Sequence, residues 1–420
     1  MHDSPMIEGN LLTLILILAM FLLWNLDFVA TLLNLKSFPS SVPPELSTLL
    51  DGEKLDRARK YQLINARLDI FQSVVNLTFF LVFWLIGGFE ILDEVVRSFA
   101  LHPIIVGLFY ISAWFLLCQA LQLPFTAYST FVIEQKFGFN RSTVSTFIID
   151  RIKGLALAAI IGLPIMAALI WIFREVDHAW FWGWIVVTAI QLLLAWLAPS
   201  LILPLFNKFS PMEEGPLKED IEALGKKCDF PLEEVFVMDG SKRSTKANAF
   251  FTGFGKHKKI ALFDTLIEKS SREELLAVLA HEIGHFKRGH IKQRLAAGIL
   301  QTAVLFFLLG AAIDPEGPVA RPLFDAFGVK FISVHVGLVL FMILLEPVSR
   351  ILGILLNAWS RKHEFEADAY AVEQTGSAEP LADALRKMTA DHLSHPDPSK
   401  LRVILDYSHP PLLQRLRAMR

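Results

Sequence analysis

His281-Glu282-Ile283-Gly284-His285 places two imidazoles and one carboxylate at the spacing a catalytic zinc needs. Residues four apart share a helix face, so both histidines can offer a ring nitrogen to one ion, with Glu282 as the general base. The pattern predicts a metallopeptidase; the bland alternative is two surface histidines on a polar helix. The flanks predict a helix that starts ten residues upstream of the motif. Ser271-Arg272-Glu273-Glu274 has the form of a capping box, and Leu275, Leu276, Val278 and Leu279 supply apolar positions.

A catalytic zinc takes three protein ligands and leaves a fourth position to water. A metzincin third ligand is excluded, because Arg288 and Ile291 stand where that pattern needs Gly and His. His290 follows His285 by five residues, about 500° of rotation on a continuous helix, and so falls off the ligand face as a surface or membrane-interface histidine. Carboxylates are the better source. The segment Arg361-Lys362-His363-Glu364-Phe365-Glu366-Ala367-Asp368-Ala369 puts Glu364 and Asp368 on one helical face and turns Glu366 away. One of the two can bind the ion while the other orients a histidine or the bound water; the plain alternative is a solvated charged helix end. Cys118, inside an apolar run, and Cys228 are the two cysteines, so neither a disulfide framework nor a thiolate site is available.

The elements that must position these residues are mostly membrane helices. Of the 420 residues 53% are hydrophobic, and the mean hydropathy of +0.46 is far from that of a soluble domain. Seven apolar runs approach the roughly 20 residues that a crossing helix requires. They are Leu11 to Leu35, Ile70 to Phe89, Leu101 to Leu123, Gly154 to Phe173, Ala179 to Ile202, Leu295 to Ala312, and Val329 to Leu345 with a helical extension beyond it. No Lys or Arg precedes the first run, whereas Lys36, Lys54, Arg57, Arg59, Lys60 and Arg67 follow it, so the positive-inside rule puts the N-terminus outside. Arg97, then Lys136, Arg141, Arg151 and Lys153, then Arg174 continue the alternation. The segment from about Phe206 to Arg294 and the C-terminus fall on the cytoplasmic side. The first run lacks the basic flank and cleavage site of a signal peptide and is expected to be retained. Asp27, Asn76, Gln119 and Glu346 lie in or beside apolar runs, where they face either a hydrated interior or one another. The net charge of -2 and the absence of a basic-aromatic pattern give no indication of nucleic acid.

These boundaries predict four parts: residues 1-205 with the first five membrane helices, 206-294 as a zinc metalloprotease insertion, 295-357 with the last two membrane helices, and 358-420 as a cytoplasmic segment that completes the metal site. Within the insertion, Lys218 to Lys227 has helical spacing and Glu234 to Met238 reads as a short strand. Asn248 to Phe254 and Lys258 to Phe263 form a candidate hairpin across Gly255-Lys256-His257-Lys258. A free strand edge beside the metal helix would let an extended peptide add itself by backbone hydrogen bonds; the simpler reading is a protective hairpin.

The HEIGHFKRGH stretch, Ser360-Arg361 followed by Glu364-x-x-Ala367-Asp368, Asn248-Ala249 with Gly253, Ser408-His409-Pro410-Pro411-Leu412-x-x-Arg415, and Glu134-Gln135-Lys136-Phe137-Gly138-Phe139-Asn140 occur in the order seen in the type I CaaX prenyl protease family. The chain resembles that family over essentially its whole length. The resemblance implies a mainly α, multi-pass fold: seven transmembrane helices form a barrel around a water-filled chamber, closed by a zinc domain with a small β-sheet. It implies His281, His285 and Glu364 as ligands of one Zn2+ per chain, Glu282 as catalytic base and Asp368 as a supporting acid. His409 is implied as an oxyanion donor, and Asn248 and Ala249 as a grip on substrate backbone, with Arg415 bracing the substrate-binding region. Glu282 then takes the proton of a water whose pKa zinc lowers and returns it to the leaving amine.

The expected partners are a peptide or protein substrate, with or without a prenyl group, and the lipid bilayer; neither nucleic acid nor an obligate protein partner is indicated. The alternatives are an HtpX-like quality-control protease, which has fewer spans, and a seven-helix receptor or transporter. A site-2-type intramembrane protease fits less well, because Lys287, Arg288 and Lys292 crowd the motif. The short loop between the last two spans and the lack of a C-terminal dilysine lead to the expectation of a prokaryotic inner membrane rather than the endoplasmic reticulum.

Overall fold

The computed structural model describes residues 11–252 and 258–419 and is mainly helical. Among the described residues seven helices are long and apolar enough to cross a bilayer. Five precede the insertion: α1 (Leu11–Lys36), α2 (Gly52–Leu85), α3 (Pro103–Glu134), α4 (Val144–Glu175) and α5 (Ala179–Phe206). The second begins well before the apolar run and stops short of Phe89, because Gly87 turns the chain at φ 77° and a separate helix, Gly88–Ser98, starts there.

The insertion carries a four-stranded sheet of β1 (Phe209–Pro211), β2 (Leu232–Met238), β3 (Ala249–Thr252) and β4 (Lys258–Phe263), in the order β1-β2-β4-β3. β2 and β4 run parallel, β3 and β4 antiparallel with Ala249 opposite Leu262, and β3 lies at the sheet edge. The expected hairpin is therefore present in its two strands. Gly253, Phe254 and the turn residues Gly255-Lys256-His257 lie outside the described residues.

Helix α6 (Arg272–Lys287) follows, with the capping box at Ser271 and Glu274 formed in both directions. It ends where Gly289 takes φ 72°, and α7 (His290–Ile313) starts at once as the sixth span. The seventh, α8 (Val334–Thr375), has 42 residues and so extends about 63 Å, twice the roughly 30 Å of a bilayer core. Its first half spans and its second half projects beyond the apolar zone, carrying Glu364 to the insertion. A last helix, α9 (Leu412–Ala418), packs beside it.

A solid bundle buries one face of every helix, but here no span buries more than 22% of its most apolar window and α5 buries none of it. Leu18, Leu22, Phe115, Trp196, Leu300 and Ile351 are exposed. Low burial on both faces is what a ring of helices gives, with lipid outside and a hollow within. One end of the ring is filled by Trp84, Phe89, Tyr110, Phe324 and Phe327, with Trp84 stacked on Phe327 at 4.5 Å. Phe89, Phe324 and Phe327 come from the segments that connect α2 to α3 and α7 to α8, while Trp84 and Tyr110 come from the adjoining ends of α2 and α3. A separate core around Ile260, Leu262, Leu275, Leu279 and Ile283 holds the sheet against α6.

Two of the four intramembrane polar residues, Asp27 and Asn76, pair across helices. Asp27 of α1 meets Arg350 of α8, which also donates to Asp406 at 2.7 Å, and Asn76 of α2 accepts from Gln122 of α3 at 3.1 Å. Gln119 lines a cleft with Thr126, Asp150 and Arg151.

Candidate active site

Two helices make the site, and small residues let them touch. A side chain at Gly284 would meet the Cα and carbonyl oxygen of Ala367 at 3.2 Å and the Tyr370 ring at 3.1 Å, so α6 and α8 pack backbone to backbone there. Gly284 of HEIGH and Ala367 of the Glu-x-x-Ala-Asp segment thus set the distance between the two motifs. The result brings His281 Nε2, His285 Nε2 and the Glu364 carboxylate together: the two nitrogens are 3.2 Å apart, His281 Nε2 lies 3.4 Å from Glu364 Oε2, and His285 Nε2 lies 3.3 Å from Oε1.

These three groups could hold a metal ion. A tetrahedral ion with bonds of 2.0–2.1 Å spaces its ligand atoms about 3.3–3.4 Å apart, close to the nitrogen–nitrogen separation and to the distance from each nitrogen to its nearer carboxylate oxygen. The electrostatics agree. His281 donates through Nδ1 to Asp368 at 2.8 Å, leaving a lone pair on Nε2, and Glu364 Oε2 is buried without a hydrogen-bond partner. Acceptors that converge on one point need a cation or a proton between them. In the metal-free chain a proton answers: burial opposes charge on His281, but hydrogen bonds to Asp368 and Glu364 outweigh it and raise the pKa to about 9.

Glu282 points from the same helix, half-buried, and burial pushes its pKa above the ordinary carboxylate value against the pull of His281 and His285. Asp368 is gripped by Arg415, which donates from Nε to Oδ2 at 2.8 Å and from Nη2 to Oδ1 at 2.5 Å. Arg415 is itself buried and lies 3.8 Å from Glu364, behind the triangle rather than in the cleft before it. His409 is 66% exposed with Nε2 at 3.4 Å from Glu364, so its imidazole flanks the open side.

Asn248 is exposed just ahead of the edge strand β3, where its carbonyl accepts from Phe263 and its side chain caps Ala249 N at 2.9 Å. The Glu134–Asn140 loop explains itself here. Glu134 contacts Tyr61 and pairs with Lys246 at 3.1 Å, Phe139 O accepts from Thr245, and Asn140 bridges Ser244. That loop therefore clamps the segment leading into β3.

One expectation changes. His290 is not a surface histidine but is buried, with Nδ1 at 3.0 Å from His285 Nδ1. The rotation of 500° assumed one helix through His290; the left-handed Gly289 breaks it and swings the ring back. Glu366 stays off the face of Glu364 and Asp368, as expected, and there it reaches His290 Nε2 at 2.9 Å. The Arg288-Gly289 pair was the available signal, since glycine after a basic residue is a common helix stop. His392 was not singled out at all. It accepts from Ala247 N at 3.1 Å, and burial with nearby Lys246 pushes its pKa down to about 4, which keeps it a neutral acceptor beside Asn248.

Comparisons with known proteins show the family and the fold. Residues 31–208 match the family described as CAAX prenyl protease N-terminal, five membrane helices, and residues 211–420 match Peptidase family M48. The human CAAX prenyl protease 1 homolog is 34% identical, the alignment covering 90% of this chain and 88% of the relative. The CAAX prenyl protease 1 of Saccharomyces cerevisiae is 35% identical with the same coverage. The crystal structure of S. mikatae Ste24p superposes with a TM-score of 0.91 at 32% identity, covering 98% of this chain and 99% of that one.

Proposed function

The chain belongs to the CAAX prenyl protease 1 family of M48 metallopeptidases, and from that membership we propose that it is a zinc-dependent membrane endopeptidase cutting near the C-terminus of CAAX-type or other membrane-associated polypeptides. The observation that carries the reading is the 3.2–3.4 Å triangle of His281, His285 and Glu364, with Glu282 one residue from a corner. Zinc held there supplies Lewis acidity toward a water and a peptide carbonyl.

The chain's own residues do the rest. Glu282, its pKa raised by burial, is poised to take a proton from water and return it to the leaving amine. His409 faces the open side, from which a neutral or charged ring N–H can donate to a developing oxyanion. Asn248, Ala249 and the edge of β3 align the substrate backbone as an added strand, while Asp368, braced by Arg415, holds His281 in the tautomer that frees Nε2. Loop charge supports a cytoplasmic-side location for this apparatus. The relatives named above are eukaryotic, which favours an endoplasmic-reticulum membrane over the expected prokaryotic inner membrane.

The test is mass spectrometry of products from prenylated and non-prenylated peptides incubated with wild type and Glu282→Gln. We expect chelator-sensitive cleavage by wild type and its loss, about 10²-fold or more, in the variant with zinc retained. Full activity in Glu282→Gln would sink the assignment, and equal cutting of both peptides would favour quality control over prenyl specificity.

A further inference from the structure

Resting on that reading, we propose that His290 and Glu366 are positioning residues for His285: a carboxylate-imidazole relay that fixes its proton on Nδ1 and presents its Nε2 lone pair to the metal. The directions of the hydrogen bonds follow from the geometry. Nε2 of His285 is a corner of the triangle, so the proton of the neutral ring must sit on Nδ1. Nδ1 lies 3.0 Å from His290 Nδ1, which must then accept and carry its own proton on Nε2. That nitrogen lies 2.9 Å from Glu366 Oε2, an acceptor. Each step leaves one choice for the next, and the chain ends on a negative charge.

The burial pattern shows a built arrangement. His290 is 1% exposed, and its ring stacks on His363 at 3.9 Å and 8°, with Trp359 tilted against His363 at 4.8 Å. The stack fixes the plane in which both nitrogens of His290 must lie to reach their partners. The two metal-facing histidines are thus served alike: His281 by Asp368 directly, and His285 by Glu366 through one intervening imidazole. Hydrogen bonds of this kind raise ligand basicity and hold ring orientation.

The experiment measures zinc affinity of the full-length, detergent-solubilised protein by competition with a chromogenic chelator at fixed pH, independent of any peptide. His290→Phe keeps the ring and removes both nitrogens, and is expected to lose about 10–100-fold in affinity. His290→Asn places an amide oxygen near the position of Nδ1 and should recover most of that loss. Glu366→Gln should lose less than His290→Phe and add nothing in the His290→Phe background, because both act on one path. His290→Phe within twofold of wild type, His290→Asn no better than His290→Phe, or losses that add fully would each overturn the relay. If His290→Phe does not fold, Glu366→Gln and His290→Asn decide: wild-type affinity in Glu366→Gln refutes it. Failure of the wild type to bind zinc would instead remove the metalloprotease reading on which the relay rests.

Discussion

Substituting Gly284 by alanine perturbs a backbone-to-backbone contact between the two helices that carry the metal site. The new Cβ would sit 3.2 Å from both the Cα and the carbonyl oxygen of Ala367, and 3.1 Å from the Tyr370 ring. Ordinary carbon contacts begin at about 3.5 Å, so α6 and α8 must separate by about 0.3 Å or more. A ring edge can tilt, but the backbone of a helix interior cannot step aside alone. Metal sites tolerate about 0.2 Å, and His281 and His285 ride on one helix while Glu364 rides on the other. We expect zinc affinity to fall by about 10–100-fold, or about 1.4–2.8 kcal/mol. Global stability should move little, because alanine's advantage of up to about 1 kcal/mol within a helix offsets part of an overpacking cost of about 1–3 kcal/mol. Chelator competition measures the first quantity and thermal unfolding of metal-free protein the second. Ala367→Gly should not rescue the variant, since the atoms that clash remain. Zinc affinity within twofold of wild type would refute the claim that this contact sets the site's geometry.

Glu364→Ala is expected to purify with much less than one metal ion per chain, and unchanged stoichiometry would count against Glu364 as a ligand. His281 holds a proton up to a pKa of about 9 without metal, so below that pH binding must displace it and affinity rises with pH. With one proton released, apparent zinc affinity should increase roughly 50-fold from pH 7 to 9 and level off above, measured against a chelator of known pH dependence; a flat profile would exclude the Asp368-His281 coupling. Arg415→Met leaves the buried Asp368 with His281 as its remaining partner and should cost about 3 kcal/mol in metal-free unfolding. Asp368→Asn added to Arg415→Met should restore part of that stability, and a single variant as stable as wild type would contradict the pairing.

Much of the architecture is legible along the chain because it depends on local periodicity. Seven apolar runs, the capping box at Ser271, a strand over Glu234 to Met238 and the shared face of His281 and His285 each involve residues within a few turns of one another. The ends of the elements are less legible. α2 extends back to Gly52 through residues that are polar but helix-forming, and α8 continues past the bilayer as a charged helix, so hydropathy marks only the apolar middle of each. Family resemblance, carried by several motifs in order, singled out Glu364 from two carboxylates that helical spacing leaves equivalent.

What spacing could not decide is which groups meet across helices. Glu364 and Asp368 share a face of α8, yet one joins the triangle and the other lies behind His281 in the grip of Arg415, an assignment made by the crossing of α6 over α8 at Gly284 and Ala367. His290 failed the helical-wheel test because a wheel presumes an unbroken axis, and a single left-handed glycine reset the phase. His392 stands more than a hundred residues from the backbone it supports and has no motif around it. Residue types and local spacing determined that this chain carries a metallopeptidase helix within a membrane protein. The third corner of the site, the proton positions on its histidines and the brace behind them depend on contacts between distant segments, which backbone periodicity does not encode and only close packing selects.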